Sequence, residues 1–243
     1  MEQAVHAKKD FIPWIKKLYQ QGAEIASLWV GAFLLAETGL LKDKKCSTHW
    51  GFIQQFRELH KDIDVQEGSI ITEENRIYSS GGANSYWNLL LNLVEKYVDR
   101  TTAIAIAKYF AIDINRHSQS VFAMFKGQKN HGDEAVRNAQ ELIEQKVEDK
   151  ISVDELADHV AVGRRSFERR FRKATNNAVL EYIQRVKMEA AKRKFETEYK
   201  NIHEVMYEVG YSDNKAFRNV FKKVTGLTPV EYKNRYIKIG NQQ

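Results

Sequence analysis

Cysteine occurs once in the 243 residues, at Cys46, so an internal disulfide is excluded and the expected setting is a reducing one, the cytoplasm. Proline occurs only at Pro13 and Pro229, and glycine thirteen times, so helix breakers are few. Helix should therefore outweigh strand, and an all-β sandwich is not expected. The longest nearly apolar run, Ala26 to Ala36, contains Ser27 and Gly31 and is too short to span a bilayer. The opening residues MEQAVHAKKD lack the apolar core of a signal peptide, so no membrane partner is expected. The seven histidines and one cysteine show no HExxH, CxxC or paired Cys/His spacing, so neither a metal nor another cofactor is expected. What is present is 43% apolar and 29% charged residues, the balance of a folded chain of one large or two modest domains.

Charge is unevenly spread. Residues 1–160 carry 19 basic and 23 acidic side chains and residues 161–243 carry 19 and 9, giving −4 and +10. Segregated positive charge suits a polyanionic partner, although on charge alone a solvated Lys-rich face is the commoner explanation.

Residues 1–125 read as mixed α/β. Ile12–Gln21 predicts a helix, Ala23–Trp29 a buried strand, and Gly31–Leu41 an apolar helix. Short strands are expected around Cys46–Thr48, Ile63–Gln66, Ser69–Thr72 and Arg76–Ser79, with helices over Gly51–His60, from Gly81-Gly82 to Tyr97, and over Thr101–Phe110. The polar stretch KGQKNHGDE suggests a linker over 126–133. Beyond it the pattern is helical, with capping boxes at Ser152–Glu155 and Thr228–Glu231.

The basic segment, 134–243, repeats itself. Val153–Lys173 and His203–Lys223 each predict a helix, a turn and a second helix bearing Phe-x-x-x-Phe; Phe167 and Phe171 recur as Phe217 and Phe221, fifty residues on. Aromatics four apart share one helical face and anchor it to a core. The other face carries Arg165, Glu168, Arg169 and Arg172 in the first copy and Lys215, Arg218, Asn219 and Lys222 in the second. One apolar and one cationic stripe per helix is what a helix-turn-helix reader of double-stranded DNA requires, since Arg suits guanine and Asn suits adenine in the major groove. Ordinary surface helices with solvated charges are the plain alternative, and duplication of the whole unit counts against it. A Gly- and Pro-free helix over 178–196 joins the two units, at about 152–174 and 201–224. In the second unit Ser212 is the expected helix cap, whereas Gly163 caps the first poorly.

This segment resembles the DNA-binding domain of the AraC/XylS family of bacterial transcription regulators. The carrying residues are Leu156-Ala157, Phe167-Glu168-Arg169-Arg170-Phe171, Tyr182-Ile183-Gln184-Arg185, Val209-Gly210-Tyr211 and Gly226-Leu227-Thr228-Pro229. The resemblance implies two helix-turn-helix units set in successive major grooves, and adds Asn214 to the base-reading candidates. Gly163-Arg164 stand where the family has a Ser-Pro cap, Met206 replaces Ala, and Asn219 replaces a frequent Arg.

The front segment resembles the later part of a PfpI-type, class I glutamine-amidotransferase-like domain. Gly22 to Ser27, Gly31 to Ala36, Ser47-Thr48-His49-Trp50 and Ser80-Gly81-Gly82 carry the likeness. In that family a cysteine nucleophile occupies the strand-to-helix elbow, where this chain has Trp29, so a catalytically inactive sensory or oligomerising domain is implied. A hydrolase or amidase, and a purely assembling module, are the competing readings. Only about twenty residues precede Ala23, so an incomplete flavodoxin-like sheet is expected, with free strand edges that favour a homodimer. RNA polymerase is a further candidate partner, and no effector is indicated. Cys46 is expected as buried filler, and Gly81-Gly82 as a tight turn in preference to an anion site.

Overall fold

The computed structural model describes residues 8–114, 118–198 and 200–236; the outer parts of the expected segments, at 1–7 and 237–243, lie outside the described residues. The chain divides into two compact units, Met1–Ala123 and Met124–Gln243. As the sequence predicts, an α/β unit precedes an all-α one. Among the described residues no helix is long and apolar enough to cross a membrane.

In the first unit, α1 (Phe11–Gln20) leads into strand β1 (Ile25–Leu28), which turns into α2 (Gly31–Glu37). A two-residue strand β2 (Lys45–Cys46), α3 (Ile53–Leu59) and β3 (Asp64–Val65) follow, then the hairpin β4 (Ile71–Glu74) and β5 (Ile77–Ser80). The helices α4 (Tyr86–Tyr97) and α5 (Arg100–Tyr109) pack on each other. The main sheet has the order β1-β5-β4, with Ile25 opposite Ile77 in a parallel pair and Ile71 opposite Ser80 in an antiparallel one. β2 and β3 form a separate parallel pair. Phe33, Leu35, Ile53, Phe56, Val65 and Ile77 fill the core shared by these elements.

Several elements are shorter than the sequence suggests, β1, α2, β2, α3 and β3 among them, and for α2 and β2 the local reason is plain. α2 ends at Glu37 because the Thr38 hydroxyl donates to the Leu35 carbonyl and accepts from the Leu40 amide, and Gly39 turns away at φ +73. β2 ends at Cys46 because the next amide, of Ser47, donates to the side-chain oxygens of Thr72 on β4 and Ser79 on β5 instead of to a strand's backbone carbonyl. Gln119, fully buried, then ties the loops together by donating to the Thr48 and Ser69 carbonyls and accepting from the Trp50 amide. A Cβ on Gly81 would come within 2.3 Å of the Gln119 amide nitrogen, which explains glycine there and fits the plain turn reading.

The second unit contains α6 (Glu134–Gln145), α7 (Val153–His159), α8 (Arg164–Thr175), α9 (Val179–Thr197), α10 (Ile202–Glu208), α11 (Asn214–Thr225) and α12 (Pro229–Tyr236). α9 joins two similar halves. Residues 126–133, expected as a linker, lie along the first half: Gln128 receives bonds from Gln140 and Asn177, and Lys129 pairs with Glu144 at 2.6 Å. Phe125, just before them, packs edge-on against Tyr182 at 5.1 Å.

Candidate nucleic-acid interface

Each half is a helix, a tight turn and a second helix. The first helices begin with capping boxes, Ser152–Glu155 on α7 and Asn201–Glu204 on α10; the second of these is not among the sequence expectations. Both end in the same way. Ala161 (φ +52) and Gly210 (φ +74) adopt left-handed backbone, and the next amides, of Val162 and Tyr211, reach back to the Ala157 and Met206 carbonyls. This is the Schellman geometry, strained at Ala161 and free at Gly210. Val153 and Ile202 are 49 residues apart whereas Arg164 and Asn214 are 50 apart, so the second turn is one residue longer.

The second helices, α8 and α11, are held by their aromatic faces. Phe167 and Phe171 lie 5.6 Å apart and Phe171 packs on Tyr182 at 5.2 Å; in the other half Phe217 and Phe221 lie 5.7 Å apart and Phe221 packs on Tyr232 at 5.4 Å. All six rings are buried. These ring contacts fix the rotation of each helix about its axis, and that rotation decides which residues face outward.

Arg165, Glu168, Arg169 and Arg172 on α8 are exposed, as are Lys215, Arg218, Asn219 and Lys222 on α11; Asn214, at the start of α11, is half-buried. The carboxylate of Glu168 lies 3.5 Å from Arg164, which itself pairs with Asp154 at 2.7 Å, so this acid is partly neutralised within the protein. Among the described residues Arg165, Arg169, Arg172, Lys215, Arg218 and Lys222 make no ion pair. Arg170 instead braces the fold, its guanidinium donating to both oxygens of Asp133 at 2.8 and 2.7 Å. Asp133 also caps α6, and Arg170 together with the Val136 amide holds its carboxyl below the usual range.

The caps of the two outward helices differ. Gly163 offers no side chain to α8, as the sequence indicates. For α11 the cap is Asp213, which accepts from the Ala216 amide at 2.6 Å, and not Ser212 as expected. The longer second turn moves the cap one residue on.

The first unit contains a tight strand-to-helix elbow. Trp29 stands between β1 and α2 at φ +55; its amide donates to the Ser80 carbonyl and its carbonyl accepts from the Thr48 hydroxyl at 3.1 Å. The His49 ring meets the Trp29 indole edge-on at 6.1 Å, and partial burial lowers the His49 pKa. Cys46 is fully buried, and burial pushes its thiol up to about 11. Neither residue supplies a thiolate beside His49 at neutral pH. Among the described residues no group of His, Cys, Asp and Glu side chains could hold a metal ion.

A sequence model described as a helix-turn-helix domain matches residues 156–235, and one described as the DJ-1/PfpI family matches residues 1–96. The chain is 25% identical over 222 residues to the HTH-type transcriptional regulator ArgR of Pseudomonas aeruginosa, covering 91% of this chain and 67% of that protein. It is 24% identical over 222 residues to the HTH-type transcriptional regulator GbdR of the same species, covering 91% and 60%. The chain therefore spans about two thirds or less of these regulators' lengths. Among solved structures, the DNA-binding domain of AdpA in complex with a target DNA aligns with 46% of this chain and all of that one, at 25% identity and a TM-score of 0.42. Residues 156–235 therefore form a helix-turn-helix domain of the AraC type, and residues 1–96 ahead of it belong to a DJ-1/PfpI-family domain.

Proposed function

We propose that the chain is a sequence-specific transcription regulator that sets α8 and α11 in successive major grooves of double-stranded DNA. The observation that carries this reading is the pair of exposed cationic stripes on two buried-aromatic helices, joined by one helix of 19 residues. At about 1.5 Å per residue that helix is roughly 28 Å long, against a DNA repeat of ~34 Å, so the DNA must curve slightly toward the protein. Arg165, Arg169, Arg172 and Arg218 suit guanine, Asn214 and Asn219 suit adenine, Glu168 suits the cytosine amino group, and Lys215 and Lys222 serve guanine or phosphate. The first unit is read as a sensory or oligomerising domain acting in the cytoplasm without catalysis, because Trp29 occupies the elbow.

The test is a pair of variants on a duplex selected from random sequence by the native chain. Arg169→Ala should weaken the selected site by ~1–3 kcal/mol and relax discrimination at one base. Lys223→Ala, off the stripe, should weaken selected and random duplexes alike. Equal losses on both duplexes for both variants would show that the stripe does not read bases.

A further inference from the structure

The buried face of α9 contains a charge where the pattern calls for an apolar residue. Ile183, Lys187, Ala191 and Phe195 recur four apart and are all buried, and Lys187 is only 6% exposed. An unpaired ammonium there would be costly, and no carboxylate offsets this one directly. Its three hydrogens instead go to three backbone carbonyls: Val147 at 2.6 Å, Asp149 at 2.8 Å and Val209 at 2.9 Å. Those acceptors come from both halves. Val147 and Asp149 lie in the loop that leads from α6 into α7, and Val209 caps the C-terminus of α10. Val147 follows the end of α6, so the ammonium sits at the negative ends of two helices, one from each half. Burial holds it below the ordinary lysine range.

Gly210 brings the halves together at the same point. A Cβ at this position would lie 2.5 Å from the Glu148 carbonyl oxygen and 2.5 Å from the Lys187 nitrogen, at a φ of +74. The turn of the second half thus rests directly on the loop of the first, with Lys187 bonded to both.

We propose that Lys187 is a positioning residue that fixes the separation of the two DNA-reading helices, and with it the spacing of the two blocks in the DNA site. The inference rests on the tandem-reader function above. α9 also holds each half by apolar packing and by polar bonds of its own, Gln140 to Tyr182 in the first half and Lys194 to Glu208 in the second, but each of those bonds serves one half only, whereas the Lys187 nitrogen is bonded to both. Three directional bonds from one nitrogen resist sliding and rotation of one half against the other.

The experiment uses the full chain and the duplex it selects from random sequence, remade with one or two base pairs inserted or deleted between the contact blocks. The native chain should lose roughly tenfold or more in affinity for each two-base-pair change. Lys187→Met, of similar length but without donors, should flatten that profile to less than about threefold while retaining binding to each block alone; Lys187→Arg, which keeps the charge and the donors, should restore a sharp optimum. If circular dichroism shows Lys187→Met unfolded, Lys187→Arg carries the test, because its longer head should move the optimum spacing. A Met variant that is uniformly weaker with an unchanged spacing profile, or an Arg variant with native optimum when the Met variant is unfolded, would overturn the inference and leave the tandem reader intact. A native chain that selects no two-block duplex would overturn the tandem reader itself.

Discussion

Phe171 touches Phe167 and Tyr182 and has no exposed surface, so Phe171→Ala should cost about 3–5 kcal/mol, and Phe221→Ala a similar amount. Urea denaturation measures both; a loss below about 1 kcal/mol would mean that the helix is not held by its aromatic face. Cys46 gives a second check. With the thiol pushed up to about 11 by burial, almost no thiolate exists at neutral pH, and a disulfide reagent should label the native chain far more slowly than the urea-unfolded one. Equal labelling rates would contradict that environment. The aromatic pairs are legible in the sequence because a spacing of four residues marks one helical face. Lys187 does not stand out there, although its signal is available: a lysine within an apolar i, i+4 series. Only the fold reveals that its partners are carbonyls, which leave no trace in the identity of Val147 or Val209.

At the scale of the element, caps separate the two reading helices. Asp213→Ala removes the side-chain acceptor of α11 and should cost about 1 kcal/mol, whereas Gly163→Ser should gain a few tenths on α8. Thermal unfolding of the two variants checks the order; a destabilised Gly163→Ser would show that α8 needs glycine for another reason. Acid should act on the same elements. Asp133, Glu155 and Glu231 are held below their usual values, Asp133 chiefly by the Arg170 guanidinium and the two glutamates by backbone amides of their own capping boxes. Because the folded values are depressed, their stabilisation is complete above the ordinary values of 3.8 and 4.5 and is lost as pH falls through the folded ones. The urea midpoint should therefore drop below about pH 4.5, and less so in Asp133→Asn. Boxes of the Ser/Thr–Glu kind are readable from sequence. The cap on α11 is not, because turn residues have no period, and a one-residue lengthening is invisible between two helices of the same pattern.

The whole molecule shows where composition misleads. Residues 126–133 are polar and glycine-bearing, which reads as a linker, yet Gln128, Lys129, His131 and Asp133 all bond to the second unit: His131 Nε2 lies 3.0 Å from Gln140 Oε1, and Gln140 bonds on to Gln128 and to the Tyr182 hydroxyl. Gly127 permits this approach, since a Cβ there would lie 2.3 Å from the Tyr182 oxygen. A fragment of residues 124–243 should accordingly be more stable than one of residues 134–243, by about 2 kcal/mol or more, through Phe125 on Tyr182 and the buried amide bonds. Identical urea midpoints for the two fragments would contradict the packing of this segment. Basic charge acts at the same scale. Residues 161–243 carry a net +10, so log K for DNA should fall by ~0.9 per phosphate neutralised for each unit of log salt.

Hydroxyl-radical footprinting of the full chain on its selected duplex tests the central claim most directly. Two protected blocks are predicted, with centres ~10 base pairs apart on one face of the duplex, and of unlike sequence because Arg165, Glu168, Arg169 and Arg172 differ in chemistry from Lys215, Arg218, Asn219 and Lys222. Arg169→Ala should fade one block and Arg218→Ala the other. A single protected block, with Arg218→Ala leaving affinity untouched, would mean that the second half only supports the first and that the tandem reader does not exist.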